Sequence, residues 1–168
     1  MLDAIGSRIR DRWSGSPRNR RLPVEAYRRL LRPCFLTIRA AHGTKPFADA
    51  TLNQAVVDVL VAERLRAHCE LYVYCLMPDH LHLIAAPGAD GGCPLRFMRE
   101  FKSRSTRIAW SLRRRGRLWQ PGFFDVMLRT EESLRQTYWY VLANPVRAGL
   151  VREPEHYRWS GEPDPVPW

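Results

Sequence analysis

The period of apolar and polar positions changes along this chain, and each change marks an element. Over residues 34–41, Cys34, Leu36, Ile38 and Ala40 take one side of an alternation, and Thr37 and Arg39 take the other. A period of two predicts a strand with one buried face. Leu52, Val56, Val59 and Leu60 recur at helical spacing and predict a helix over 52–66. Two apolar runs, 71–77 and 80–86, are separated only by Pro78 and Asp79 and predict a β-hairpin. Pro94 suits the first turn of a helix. The stripe of Phe97, Phe101, Ile108 and Leu112 carries that helix to about Arg115, where Gly116 should stop it. Residues 123–129 predict a fourth strand. Thr130, followed by two acids, opens a last helix, with Ser133 where a capping box usually has Glu. Asn144 and Pro145 should end it near Ala143, because a residue before proline avoids the helical region.

The order β-α-β-β-α-β, then a helix, predicts an α+β fold. It is a ferredoxin-like antiparallel sheet with helices on one face, plus a C-terminal helix carrying Tyr140. A length of 168 residues suits one domain. That domain is expected over 34–151. Before it comes an Arg-rich arm, residues 1–33, with a short helix over 24–31. After it comes an irregular tail, 152–168, containing Pro and Trp.

Charge narrows the choice of partners. The chain carries 27 Lys+Arg against 17 Asp+Glu, a formal net charge of +10. All the basic residues are Arg except Lys45 and Lys102. Such a surplus attracts polyanions, and the guanidinium fork suits phosphate. It gathers on the polar face of the 94–115 helix, at Arg96, Arg99, Lys102, Arg104 and Arg107, and in the run Arg113, Arg114, Arg115. A nucleic-acid track is expected there; a solvated basic surface is the alternative. Trp119, Phe123 and Phe124 either stack on bases or fill the core.

The four cysteines form no C-x-x-C pair, which argues against a zinc ribbon or a disulfide framework. No apolar run is long enough for a membrane span, and the first residues lack the apolar stretch of a signal peptide. A cytoplasmic, nucleoid-associated protein with no membrane partner is expected.

Three groups of residues offer chemistry. His80 and His82, two apart in a strand, point to the same face and could chelate a metal. They could equally be two surface histidines. In the last helix Tyr138 lies on the apolar stripe and reads as core. Tyr140 lies on the polar stripe, with its hydroxyl directed away from the core. Asn144, one turn on, shares that face and could add an oxygen to two imidazole nitrogens. The alternative is an exposed tyrosine beside a helix-ending Asn-Pro.

Four segments in order, YCLMPDHLHL at 74–83, FKSR at 101–104, WQPGFFD at 119–125 and YVLANPVRAGL at 140–150, resemble the single-tyrosine HUH transposases. The last segment is most similar to the REP-associated tyrosine transposases. The resemblance implies that His80 and His82 hold Mg²⁺ or Mn²⁺, that Asn144 completes the site and that Tyr140 is the nucleophile. It implies cleavage and rejoining of single-stranded DNA at hairpin-forming palindromes through a 5′-phosphotyrosine, by a monomer or a homodimer. Many relatives have a histidine where this chain has Val126. Two other functions remain open: a non-catalytic nucleic-acid-binding module, and a metal-dependent nuclease that activates water.

Overall fold

The computed structural model describes residues 32–168. The helix expected over 24–31, and all of the basic arm except Arg32 and Pro33, lie outside the described residues. The elements are β1 (Cys34–Arg39), α1 (Ala50–Arg66), β2 (Cys69–Met77), β3 (His80–Pro87), α2 (Pro94–Ser111), β4 (Phe124–Met127), α3 (Glu131–Arg147) and β5 (Ser160–Gly161). The sheet order is β4-β1-β3-β2-β5, and every pairing is antiparallel. β3 runs between β1 and β2, the split arrangement that the element order predicts.

The two faces of the sheet carry two separate cores. On one face, Leu36, Ile38, Leu81 and Leu83 pack against Leu52, Val56 and Leu60 of α1 and Phe97, Met98 and Phe101 of α2. On the other, Phe35, Val73, Cys75 and Ile84 pack against Leu134, Tyr138, Tyr140 and Val141 of α3. The expectation of one buried face for β1 is therefore corrected. Phe35 and Thr37 are as buried as Leu36, because α3 covers the face that alternation alone assigns to solvent.

Both later helices end elsewhere than predicted. α2 stops at Ser111 instead of continuing to Arg115. Arg113 N–H donates to the Trp110 carbonyl and Arg114 N–H to the Ala109 carbonyl. This is a Schellman motif with Arg113, φ 63°, in the left-handed position glycine usually takes. α3 runs through Pro145 to Arg147. Proline removes one helical hydrogen bond, but Pro145 is buried, and a second Schellman motif closes the helix at Gly149, φ 69°. At the start of α3, Thr130 and Ser133 form a reciprocal capping box, with serine doing what glutamate usually does.

The tail is not irregular throughout. Ser160 and Gly161 pair with Cys75 and Tyr74 of β2. Tyr157 Oη donates to the Leu76 carbonyl at 2.8 Å, and Asp164 accepts from Leu71 N–H at 2.7 Å. A strand of two residues is too short to show a period of two in the sequence.

Candidate active site on the α3 face of the sheet

Strand register assembles the site before any helix is added. Arg39 lies opposite His80, and Thr37 lies opposite His82. Across the other edge of β3, Met77 faces His80 and Cys75 faces His82. The two imidazoles are neighbours, as their i, i+2 spacing predicts, with ring centroids 4.5 Å apart.

Each imidazole is held by an oxygen at Nδ1. Thr37 Oγ1 lies 2.8 Å from His82 Nδ1, and Asp79 Oδ1 lies 2.6 Å from His80 Nδ1. The carboxylate has only acceptor capacity, so His80 donates through Nδ1–H. The hydrogen bond from His80 holds the Asp79 carboxyl below the usual carboxylate range. His82 is 5% exposed. Burial, and then the charges of His80, Arg39 and Arg147, push its pKa well below the ordinary histidine value. It is therefore neutral at physiological pH and retains a lone pair.

α3 brings Tyr140 onto this cluster. Its ring centroid lies 5.7 Å from that of His82 and 6.1 Å from that of Phe35, both edge-on. The Arg147 guanidinium lies 5.0 Å from the Tyr140 ring centre, a cation–π contact. Tyr140 is 5% exposed, not on an open polar stripe as helix geometry suggested. The stripe is polar in sequence, but it faces the sheet, over the central strand that carries the histidines. Tyr138 is buried, as expected. Asn144 is half-buried, and its Nδ2 donates to the Tyr140 carbonyl at 2.7 Å, which leaves Oδ1 as its acceptor.

Among the described residues, no group of three or more His, Cys, Asp or Glu is placed to hold a metal ion. His80 and His82 are a two-nitrogen donor set, with both Nδ1 atoms engaged and both Nε2 atoms left for ligation. Such anchoring of the second ring nitrogen is usual for metal-binding histidines. A two-nitrogen donor set of this kind fits a divalent cation that takes its remaining ligands from oxygen atoms. Val126 pairs with Phe35 on this same face and, being apolar, adds no ligand there.

The basic residues divide by location. α2 packs on the opposite face of the sheet, so its arginines do not share the site. Arg96, Arg99, Arg113 and Arg115 are exposed. Lys102 instead donates from Nζ to the Gln120 and Gly122 carbonyls, at 2.8 and 2.7 Å. Arg104 Nε contacts the buried carboxylate of Glu63 at 2.7 Å, Arg107 donates to Ser103 Oγ, and Arg114 pairs with Asp49. Of the three aromatic candidates for base stacking, Trp119 is buried with its indole bonded to Ser105, and Phe123 and Phe124 pack against the two cores. The cations that do stand at the site are Arg39 and Arg147, which sequence reasoning did not single out. Nor did it find Thr37 or Asp79. Asp79 directly precedes His80, and Thr37 shares the parity of Arg39, but only the pairing of β1 with β3 gives either a role.

The comparisons agree with one another. Residues 44–144 match the family described as Transposase IS200 like. A REP-associated tyrosine transposase of Escherichia coli is 29% identical over 92 residues, 54% of this chain. The match spans about half, 53%, of that relative's length. A Haemophilus influenzae protein provisionally assigned to the same group is 23% identical over 141 residues, 75% of this chain and 77% of its own length. The solved structure of a REP-associated tyrosine transposase bound to a REP hairpin is similar in fold, with a TM-score of 0.69 at 20% identity. That similarity covers 87% of this chain and 82% of the other. With the family matched over most of the region that builds the sheet and both chemistry-bearing segments, this chain belongs to the IS200-like transposases.

Proposed function

We propose that this protein cleaves and rejoins single-stranded DNA at hairpin-forming palindromes, through a covalent bond between Tyr140 and a 5′-phosphate. What carries the reading is the approach of the Tyr140 and His82 rings, 5.7 Å apart, on the sheet face that also holds His80. The family match and the hairpin-bound structural neighbour support DNA as the partner.

A divalent cation, Mg²⁺ or Mn²⁺, held by His80, His82 and Asn144 would supply Lewis-acid stabilisation of the charge that develops on the scissile phosphate. The chain's own groups do the rest. Tyr140 Oη forms the bond to phosphorus, the P–O3′ bond breaks, and the phenolic proton is balanced by the hydroxyl formed on the departing 3′ oxygen. The phosphotyrosine keeps the phosphoryl group activated, so a new 3′-hydroxyl can reverse the step without a nucleotide cofactor. Arg147 packs on the Tyr140 ring and offers a cation to the phosphate, and Arg39, opposite His80 on β1, adds positive charge beside the histidines.

The test is incubation of the full chain with Mn²⁺ and a hairpin-bearing single strand labelled at its 3′ end. The wild type should carry the label through denaturing electrophoresis, and Tyr140→Phe should bind the strand without forming the adduct. Cleavage without an adduct would mean that water is the nucleophile. Binding without cleavage in the wild type would mean a non-catalytic module.

A further inference from the structure

A cleft of about 320 Å³ opens beside α2, on the side of the sheet away from Tyr140. Its cationic wall is Arg107 and Arg117, and its floor is Leu118 and Trp119. Trp110 forms the rim and is 53% exposed. Its Nε1 donates to the Gly116 carbonyl at 2.7 Å, so the indole is held in one orientation instead of folding onto the surface. A tryptophan kept half in water with its polar atom already satisfied presents a fixed aromatic face.

We propose that this cleft is a subsite for one unpaired nucleotide of the DNA, outside the point of cleavage. The inference rests on the DNA-processing reading above and adds a second place of contact to it. Stacking on an aromatic side chain needs a base whose face is not already covered by its neighbours in a duplex. Guanidinium groups on the wall match the phosphates on either side of that base. The chemistry therefore selects single-stranded DNA flanking a hairpin over the hairpin stem. The volume lies at the small end of ligand sites and suits one nucleotide better than a folded element.

The experiment uses the full chain with Tyr140→Phe, so that binding is read without cleavage. Its probes are a hairpin with single-stranded flanks, carrying 2-aminopurine at successive flank positions, and a blunt hairpin of the same stem. One flank position should be quenched on binding. Trp110→Ala should remove that quenching and weaken binding of the flanked hairpin about tenfold, leaving the blunt hairpin unchanged. Trp110→Phe should retain most of both effects. Should Trp110→Ala melt early, Arg107→Gln with Arg117→Gln replaces it. That pair should lower the salt dependence of flanked-hairpin binding by about two counterions. Equal losses on both probes, or no loss on either, overturn the subsite and leave the Tyr140 chemistry standing. Failure of the chain to bind either probe overturns both.

Discussion

Thr37 and His82 face each other across β1 and β3, and a 2.8 Å hydrogen bond joins Oγ1 of one to Nδ1 of the other. The bond leaves Nε2 of a buried, neutral imidazole as its open nitrogen. Thr37 is 1% exposed, so the hydroxyl has no evident task other than aiming this ring. Thr37→Val keeps the shape and removes the bond. It should weaken the response to Mn²⁺ by about 10- to 100-fold, the usual cost of losing such a partner. Thr37→Ser should recover most of it. Adduct yield against Mn²⁺ concentration is the measurement, and an unchanged midpoint for Thr37→Val would exclude the role.

The basic residues of α2 should separate into two classes. Glu63 is 3% exposed, and Arg104 Nε reaches it at 2.7 Å. Removing Arg104 leaves that buried carboxylate only the longer contact with Arg66, at 3.6 Å, so Arg104→Ala should lower stability by about 1–3 kcal/mol, less than for a fully buried pair because Arg104 is half in water. Arg96→Gln and Arg99→Gln should leave stability within about 0.5 kcal/mol and reduce the salt slope of DNA binding. Urea denaturation alongside a salt titration decides this. Equal stability for all three variants contradicts the assignment of Arg104.

Arg113 holds the left-handed position that ends α2, at φ 63°. Arg113→Gly relieves that conformation and should stabilise the fold by up to about 1 kcal/mol. A rise in melting temperature of about 2–4 °C is expected for a chain of this size. A fall would show that the arginine side chain makes a contact worth more than the strain.

Burial pushes the Cys34, Cys69 and Cys75 thiols up to about 12, desolvation of the thiolate being the first cause in each. A raised thiol pKa means almost no nucleophilic thiolate near pH 8. Alkylation by iodoacetamide at that pH should therefore follow the rate of unfolding, not the reagent's intrinsic rate. Fast modification of the native chain at any of the three, located by peptide mapping, would refute it.

Much of this fold was legible in local pattern. The alternation at 34–41, the stripe over 52–66 and the two runs separated by Pro78 and Asp79 place β1, α1, β2 and β3 within a few residues of where they lie. The Pro145 signal misled because a proline's penalty is local, whereas burial of Pro145 and the cap at Gly149 are not. The two-residue β5 left no period to read.

The candidate site divides along the same line. The i, i+2 spacing of a strand by itself sets His80 beside His82, while Tyr140 and Asn144 are singled out by the motifs shared with the single-tyrosine transposases. Tertiary structure alone decides that α3 lies on the histidine face and buries Tyr140 against His82, with Arg147 over its ring. It alone decides that Thr37 and Arg39 stand opposite the two histidines, and that Lys102 and Arg104 serve the fold. Local spacing dictates which side chains share a face. Which faces meet is settled by burial of apolar surface on both sides of the sheet, a sum over residues distant in sequence.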